Sequence, residues 1–240
     1  MSTNLPTFGK YNLHARLYPS LLTALPVTVL VLPLVPSATV ATVLPLLASS
    51  GVLLLVVQQV RTLGDKTEER LRARWDGMPT TRRLRLRNAT NLALLTRRRT
   101  KLEALYGELL PDAEMEQSKP MVADETYVAA TRRLITKVRQ HQDRFPLVQE
   151  EAVNYGFRRN LRGMKFLAVV LAVLGLATDG LLIYLIGGTA QAIATASFHI
   201  VYLLVVLTVV KDSWVREVGE CYADRLFEAL DAMDDLAADR

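Results

Sequence analysis

The chain has 240 residues, a formal net charge of +5 at pH 7, and a composition that is 50% hydrophobic and 22% charged. The charge is unevenly placed, because residues 17–60, 166–178 and 180–210 contain no Asp, Glu, Lys or Arg. This distribution excludes a soluble enzyme of uniform composition, and the apolar content excludes a disordered chain. We therefore expect an all-α membrane protein: four transmembrane helices in two hairpins, a helical cytoplasmic domain and a C-terminal amphipathic helix.

The first charge-free stretch, residues 17–60, predicts the first transmembrane hairpin. A helix needs about 20 apolar residues to cross the hydrocarbon core, so this stretch has room for two spans. The first span is predicted at about residues 20–35 and the second at about residues 38–60, with the break between them at Pro36-Ser37. Pro26 and Pro33 interrupt the first span, which is expected to be kinked or re-entrant, with neighbouring helices supplying the hydrogen bonds that proline removes.

Residues 61–165 are predicted to form a basic, helical cytoplasmic domain. Its expected elements are a helix at 61–75, a break at 75–79, a helix capped by Thr80 or Thr81 that ends near Gly107, a polar loop at 111–120, a helix at 122–142 and a last helix from Pro146. The breaks follow Gly and Pro, which interrupt helices. Leu84, Leu95 and Leu102, at roughly helical spacing, indicate the helix before Gly107.

The second charge-free region, residues 166–210, predicts the second hairpin. Its two spans are expected at residues 166–186 and 189–210, and the break between them is expected at Gly187-Gly188. Residues 211–240 are predicted to continue the fourth span as an acidic amphipathic helix, whose apolar residues lie three or four apart. That apolar stripe is expected to pack either on the basic domain or on the same helix of another subunit.

The distribution of Lys and Arg predicts the topology. Residues 1–16 carry two basic residues and no acid, residues 61–165 carry 23 basic and 14 acidic residues, and residues 211–240 carry 4 basic and 9 acidic residues. The two turns between the paired spans are uncharged. Because basic segments stay on the cytoplasmic side, we expect a multi-pass protein of the cell membrane whose N-terminal segment (1–16), basic domain and C-terminus are all cytoplasmic.

Asp179 is the only charged residue within the predicted spans. A charged group in the hydrocarbon costs about 3 kcal/mol on insertion scales, so this side chain should face protein or water. Gly175 and Ala172 precede it on the same helix face, and small residues let helices approach closely. Two interpretations stay open: a pore-lining carboxylate that attracts cations, or a carboxyl that hydrogen-bonds a neighbouring helix or reaches the outer interface.

The fourth predicted span has a polar face formed by Gln191, Thr195, His199 and Tyr202. Counted from the Gly187-Gly188 turn, His199 lies only slightly deeper than Asp179, so the two side chains can meet within or between subunits. The face is either a pore wall with a pH-sensitive gate, or a buried polar contact that holds helices together.

A basic run in the cytoplasmic domain is the third candidate site. Its predicted ligand-binding residues are Arg82, Arg83, Arg85, Arg97, Arg98, Arg99 and Lys101. Such a run can bind anionic lipid headgroups, or a nucleotide or oligonucleotide through its phosphates. Alternatively, it is a solvated helix face that the acidic C-terminal helix partly neutralises.

No motif in the chain indicates catalysis. The sequence contains no phosphate-binding GxxxxGK, no GxSxG and no HExxH, and Cys221 is its single cysteine. We therefore expect neither an enzyme nor a protein that requires a metal or a cofactor.

Two short motifs carry a resemblance to a known family. They are Trp75-Asp76-Gly77-x-Pro79-Thr80-Thr81-Arg82-x-Leu84-Arg85 and Tyr155-Gly156-Phe157-Arg158-Arg159-Asn160-Leu161, the second set just before a predicted hairpin. Together with the four-span layout, they resemble a bacterial family of small membrane proteins of anti-phage operons, encoded beside nucleotidyltransferase-like partners. The layout is similar to that of the pore-forming effectors of such systems, including the membrane effector of the Hailong system.

This resemblance implies a homo-oligomeric, tetrameric channel of the bacterial inner membrane. A nucleotide, or a single-stranded DNA oligomer made by the nucleotidyltransferase-like partner, would gate it, and its opening would depolarise the infected cell. With Asp179 and the polar face of the fourth span, the leading hypothesis is an oligomeric effector with a cation-permeable pore. The alternative is a non-conducting membrane scaffold that recruits a cytoplasmic partner through its charged helices.

Overall fold

The computed structural model describes residues 10–31, residue 39 and residues 52–234, and these residues form helices joined by turns and loops, without a strand. Ten α-helices are described: α1 (Lys10–Asn12), α2 (Tyr18–Val31), α3 (Val52–Arg74), α4 (Pro79–Arg82), α5 (Leu92–Tyr106), α6 (Ala113–Ser118), α7 (Pro120–Gln140), α8 (Pro146–Ile186), α9 (Ala190–Val209) and α10 (Asp212–Asp231). A π-helical segment at Leu13–Leu17 joins α1 to α2, and short 3₁₀ turns lie at Leu86–Asn88 and Ala232–Asp234. The predicted all-α class is thus confirmed for the described residues.

Two helices, α8 and α9, contain segments that are long and apolar enough to cross a membrane. Only 22% of the apolar segment of each helix is buried, whereas the core helix of a soluble protein is mostly buried. Large apolar side chains such as Phe166, Leu174 and Leu204 are exposed on these helices and need lipid or another protein surface. These observations support a membrane location.

The first predicted hairpin is described only at its two ends, in α2 and in α3 from Val52. The predicted break at Pro36-Ser37, Pro33 and nearly all of residues 38–51 lie outside the described residues. The helix at 61–75 is confirmed, because α3 runs without interruption to Arg74.

The chain divides into two compact units. The first unit comprises Met1–Glu69 and Gly156–Val215, and the second unit comprises Arg70–Tyr155 and Arg216–Arg240. All three divisions fall inside helices, in α3, α8 and α10. In α3 and α8 the division lies near the change between an apolar and a charged stretch. The apolar segments of α8 and α9 therefore lie in the first unit, and the whole basic run lies in the second.

Side chains of α5, α7 and α10 form the core of the second unit. Its fully buried members include Leu84, Leu102, Tyr127, Leu134 and Leu226. The apolar stripe of α10 is thus covered by the basic segment of its own chain, which was one of the two predicted partners. Opposite charge supports this packing, because Arg83 forms ion pairs with Asp224 and Glu220 of α10.

Three local predictions were wrong. The acidic tail does not continue the fourth span, since α9 ends at Val209 and a new helix begins at Asp212. Thr80 and Thr81 cap nothing: they lie inside α4, whose N-cap is Met78, whereas the longer helix α5 is capped by Asn91. The predicted loop at 111–120 contains α6, which Asp112 caps through the backbone N–H of Met115. Short helices of this kind follow from capping side chains and give no periodic signal.

Candidate functional site

The side chains of Asp179 and His199 meet inside the first unit. Oδ2 of Asp179 lies 2.6 Å from Nδ1 of His199, and both side chains are fully buried. Thr195, one turn before His199 on α9, donates from its hydroxyl to Oδ1 of Asp179 over 2.8 Å. The predicted contact between the acid of α8 and the polar face of α9 is therefore confirmed.

The small residues of α8 create the space that His199 occupies. A Cβ at Gly175 would lie 2.4 Å from Nε2 of His199, so no larger side chain fits there without displacing the ring. Ala168 and Ala172, on the same face, are also fully buried. This is the close helix approach that small residues permit in membranes, and it explains why the spacing 168, 172, 175 and 179 predicted the buried face.

The prolines of α2 explain two further contacts. Pro26 has no N–H, so the Leu22 carbonyl loses its α-helical donor, and the Tyr202 hydroxyl donates to that carbonyl over 2.9 Å. Pro19 likewise cannot serve the Ala15 carbonyl, to which the Asn160 amide donates over 2.6 Å. Side chains from α8 and α9 thus supply hydrogen bonds where proline removes a backbone donor, as predicted for the first span.

His199 also joins the proline-containing helix to the acid. Its Nε2 lies 3.0 Å from the carbonyl oxygen of Pro26, and because a carbonyl only accepts, Nε2 must carry a hydrogen. One further proton then lies between Nδ1 and the carboxyl of Asp179. Whichever atom holds that proton, the pair has no net charge, which lowers the cost of burying it. We call these groups the Asp179–His199 cluster: the side chains of Asp179, Thr195, His199 and Tyr202, with the carbonyls of Leu22 and Pro26.

Gln191 lies outside this cluster. Its side chain is exposed, and only its backbone carbonyl accepts a hydrogen bond from Thr195. The reason is its position, since Gln191 is in the first turn of α9 and two turns away from His199. The carbonyls of Leu22 and Pro26 were missed by sequence reasoning. Pro26 does signal the unpaired carbonyl of Leu22, four residues earlier, but no local signal marks its own carbonyl.

Replacing Tyr202 with Phe is expected to lower the free energy of unfolding by about 1 kcal/mol, because the Leu22 carbonyl then loses its donor. Pro26→Ala restores a backbone N–H for that carbonyl. Tyr202→Phe should therefore cost less in the Pro26→Ala background, as measured by detergent-induced unfolding of the four proteins in a double-mutant cycle. An equal cost in both backgrounds would contradict this account of the proline.

The basic run does not form one exposed surface. Arg85 is only 1% exposed and is bound by the carboxylates of Asp124 and Asp76. Burial lowers the pKa of Arg85, but the hydrogen bonds and charges of these two carboxylates together raise it above its ordinary value. Arg99 is also buried and donates to the Leu84 carbonyl and the Tyr127 hydroxyl, each over 2.8 Å.

The other members of the run differ in accessibility. Arg98 contacts the carboxylate of Asp231, and Lys101 donates to the backbone carbonyl of the same residue over 2.7 Å. Arg83 is paired with α10, as described above, and Arg82 is partly buried. Only Arg97 of the seven has an exposed side chain. The acidic tail thus neutralises Arg83 and Arg98, so the predicted alternative holds for part of this run, whereas Arg85 and Arg99 are buried among other partners.

Exposed cations lie elsewhere in the second unit, on α7. Sequence reasoning missed them, although Arg132, Arg133, Lys137 and Arg139 are exposed on this helix. The signal was present in the sequence, because apolar residues at 127, 130, 134 and 138 alternate with these cations at helical spacing. These side chains are open to solvent, whereas Arg85 and Arg99 are buried.

The arrangement in the first unit joins helices through hydrogen bonds of a buried acid and a buried imidazole. The Asp179–His199 cluster can hold a proton between two side chains and connects α2, α8 and α9. Within the described residues, no group of three or more His, Cys, Asp and Glu side chains is placed to hold a metal ion. Neither a protein-family model, nor a curated protein, nor a solved structure matches this chain.

Proposed function

We propose that the chain is the subunit of an oligomeric, cation-permeable channel in a bacterial cell membrane, and that the Asp179–His199 cluster is its gate. One observation carries this proposal: an ionisable pair is fully buried between two helices that are apolar enough to span a membrane. Ionisable groups are costly in such helices and usually mark an ion or proton pathway.

In this proposal the described arrangement is the closed state. Asp179 is covered by His199, and His199 is held by the Pro26 carbonyl. Opening moves α2 away, breaks the contact between His199 and Pro26, and leaves the Asp179 carboxylate facing water, where it attracts cations. The pore-lining role predicted for Asp179, Thr195 and the small residues of α8 belongs to that open state.

The assembly and its biological role are part of the same proposal. The exposed apolar side chains of α8 and α9 offer surface for lipid and for further copies of the chain. The two motifs at residues 75–85 and 155–161 favour a homo-oligomeric anti-phage effector whose opening depolarises the cell. The proposal also includes four membrane spans, cytoplasmic termini, and gating by a nucleotide or oligonucleotide.

Planar-bilayer recording of the purified protein tests this function. We expect discrete currents carried by cations, and we expect the reversal potential in a salt gradient to follow the cation. Protein that is folded and inserted but silent at all voltages, and with every nucleotide added, would overturn the channel proposal.

A second candidate, a non-conducting scaffold, is favoured by one specific observation. The Asp179–His199 cluster is completely buried and bonded to α2, which is also what a purely structural contact between helices requires. Silent bilayers with normal assembly, together with the capture of a cytoplasmic partner by the charged second unit, would support this alternative.

A further inference from the structure

A cavity of about 530 Å³ lies in the second unit, which is within the size range of small-molecule sites. It is lined on its apolar side by Met78, Met121 and Val128, and its charged lining residues include Arg72, Arg132 and Glu125. A pocket of this size holds a small organic molecule, and a mixture of apolar and charged walls is typical of sites for amphipathic ligands.

One wall of the cavity is a face of α7. Its lining residues on this helix recur every three or four positions: Met121, Asp124, Glu125, Val128, Ala129 and Arg132. They therefore follow one side of the helix from its first turn onwards. The side chains of this wall are held on a regular element, which gives a ligand site well-defined positions.

The opposite wall includes the turn after α3, and Arg85 joins the two walls. Asp76 and Gly77 both have positive φ, 54° and 100°, and the Gly77 N–H donates to the Arg72 carbonyl over 2.9 Å. Arg85 binds Asp76 on the turn and Asp124 on α7. A Cβ at Gly77 would lie 2.8 Å from Nη2 of Arg85, so the turn needs glycine at this position. The walls are thus fixed before any ligand arrives, which reduces the entropy lost on binding.

The charges of the cavity select for phosphate chemistry. Arg72 and Arg132 are both exposed, and within the described part of the chain neither guanidinium has a carboxylate partner. Arginine recognises phosphate oxygens through paired N–H donors. Asp124 is already neutralised by Arg85, whereas Glu125 remains as an acceptor for hydroxyl or amino groups. Inorganic phosphate fits this cavity less well than an organic phosphate, because Glu125 would repel it and it would make no contact with Met78 and Met121.

We propose that this cavity binds an organic phosphate. Its phosphate group lies between Arg72 and Arg132, its apolar part covers Met78 and Met121, and its hydroxyl groups donate to Glu125. Nucleotides and glycerophospholipids both offer this chemistry. The proposal concerns binding by the second unit and holds whether or not the chain conducts ions.

Calorimetric titration of the full-length protein in detergent tests the pocket. The probes are adenosine diphosphate, dihexanoyl phosphatidic acid and inorganic phosphate. We expect saturable binding of one of the two organic phosphates, which identifies a nucleotide or a lipid as the ligand. Arg72→Gln and Arg132→Gln should each weaken that binding about tenfold or more, because each removes a charge-assisted contact to phosphate.

Two neighbouring arginines provide matched controls. Arg133 follows Arg132 on α7 without lining the cavity, and Arg97 is exposed on α5. Arg133→Gln and Arg97→Gln should leave the affinity within about twofold, because they remove the same charge away from the pocket. Thermal unfolding of all four variants checks that they are folded.

Three results would overturn the pocket. They are the absence of binding by both organic phosphates, inorganic phosphate binding as tightly as they do, or equal weakening by the control variants. The outcomes separate this proposal from the channel proposal. If the protein conducts ions but binds no organic phosphate, only the pocket proposal is contradicted. If it binds the ligand but the bilayers stay silent, only the channel proposal is contradicted.

Discussion

Replacing Asp179 with Asn is expected to abolish ion currents in planar bilayers, and the toxicity of the expressed protein, while leaving assembly intact. Asparagine keeps the size of the side chain and can still accept from Nδ1 of His199 and contact Thr195, so the helices should stay packed. It cannot carry the negative charge that attracts cations in the proposed open state. We expect a loss of at least about tenfold in conductance, since the fixed charge raises the local cation concentration by that order.

Thr178→Val is the matched control for this variant. Thr178 is adjacent to Asp179 but exposed, and its hydroxyl donates to the Leu174 carbonyl of its own helix. The control should conduct like the wild type and should form the same oligomer on size-exclusion chromatography. If Asp179→Asn also conducts normally, the carboxylate has no role in permeation, and the cluster serves only to hold the helices together.

Replacing Arg85 with Met is expected to lower the stability of the second unit by about 1.5–3 kcal/mol, because it removes the charge-assisted hydrogen bonds of a buried guanidinium to Asp124 and Asp76. Trp75, which is 6% exposed and precedes Asp76, should report the change in urea unfolding followed by fluorescence. The second tryptophan, Trp214, belongs to the first unit, so a Trp214→Phe background isolates the signal.

Arg97→Met is the matched control, since it removes a cation from the same run at an exposed position. Its effect on stability should be within about 0.5 kcal/mol, as is usual for surface substitutions. Equal stability of the two variants would show that Arg85 is not a structural arginine.

Much of the fold was predictable because local residues terminate its helices. Gly107, at a φ of 89°, ends α5 as predicted, Pro146 begins α8, and the break between α8 and α9 occurs at Gly187, at a φ of 85°. The break between α9 and α10 was not predictable in this way. The residues around Val210 and Lys211 include no Gly or Pro, and the apolar pattern passes through them without interruption.

The candidate site was predictable in part. Helical spacing on two apolar segments placed Asp179, Gly175 and Ala172 on one face and Thr195 and His199 on another, and the faces meet. The role of these residues in a pore stays a prediction. Their bonds to α2 were not predictable as specific pairs, because Tyr202 and Leu22 lie 180 positions apart in the chain.

The amino-acid order alone therefore established the apolar segments, the signs of the charged segments and most helix ends, since each of these follows from nearby residues. Which cations stay free and which are buried depended on tertiary packing. Arg85 and Arg97 look alike in a basic run, yet one is enclosed by two carboxylates and the other is exposed. The net charge of +5 counts both kinds of cation equally, whereas burial requires a partner, and the partners of Arg83 and Arg98 on α10 lie more than 130 positions away.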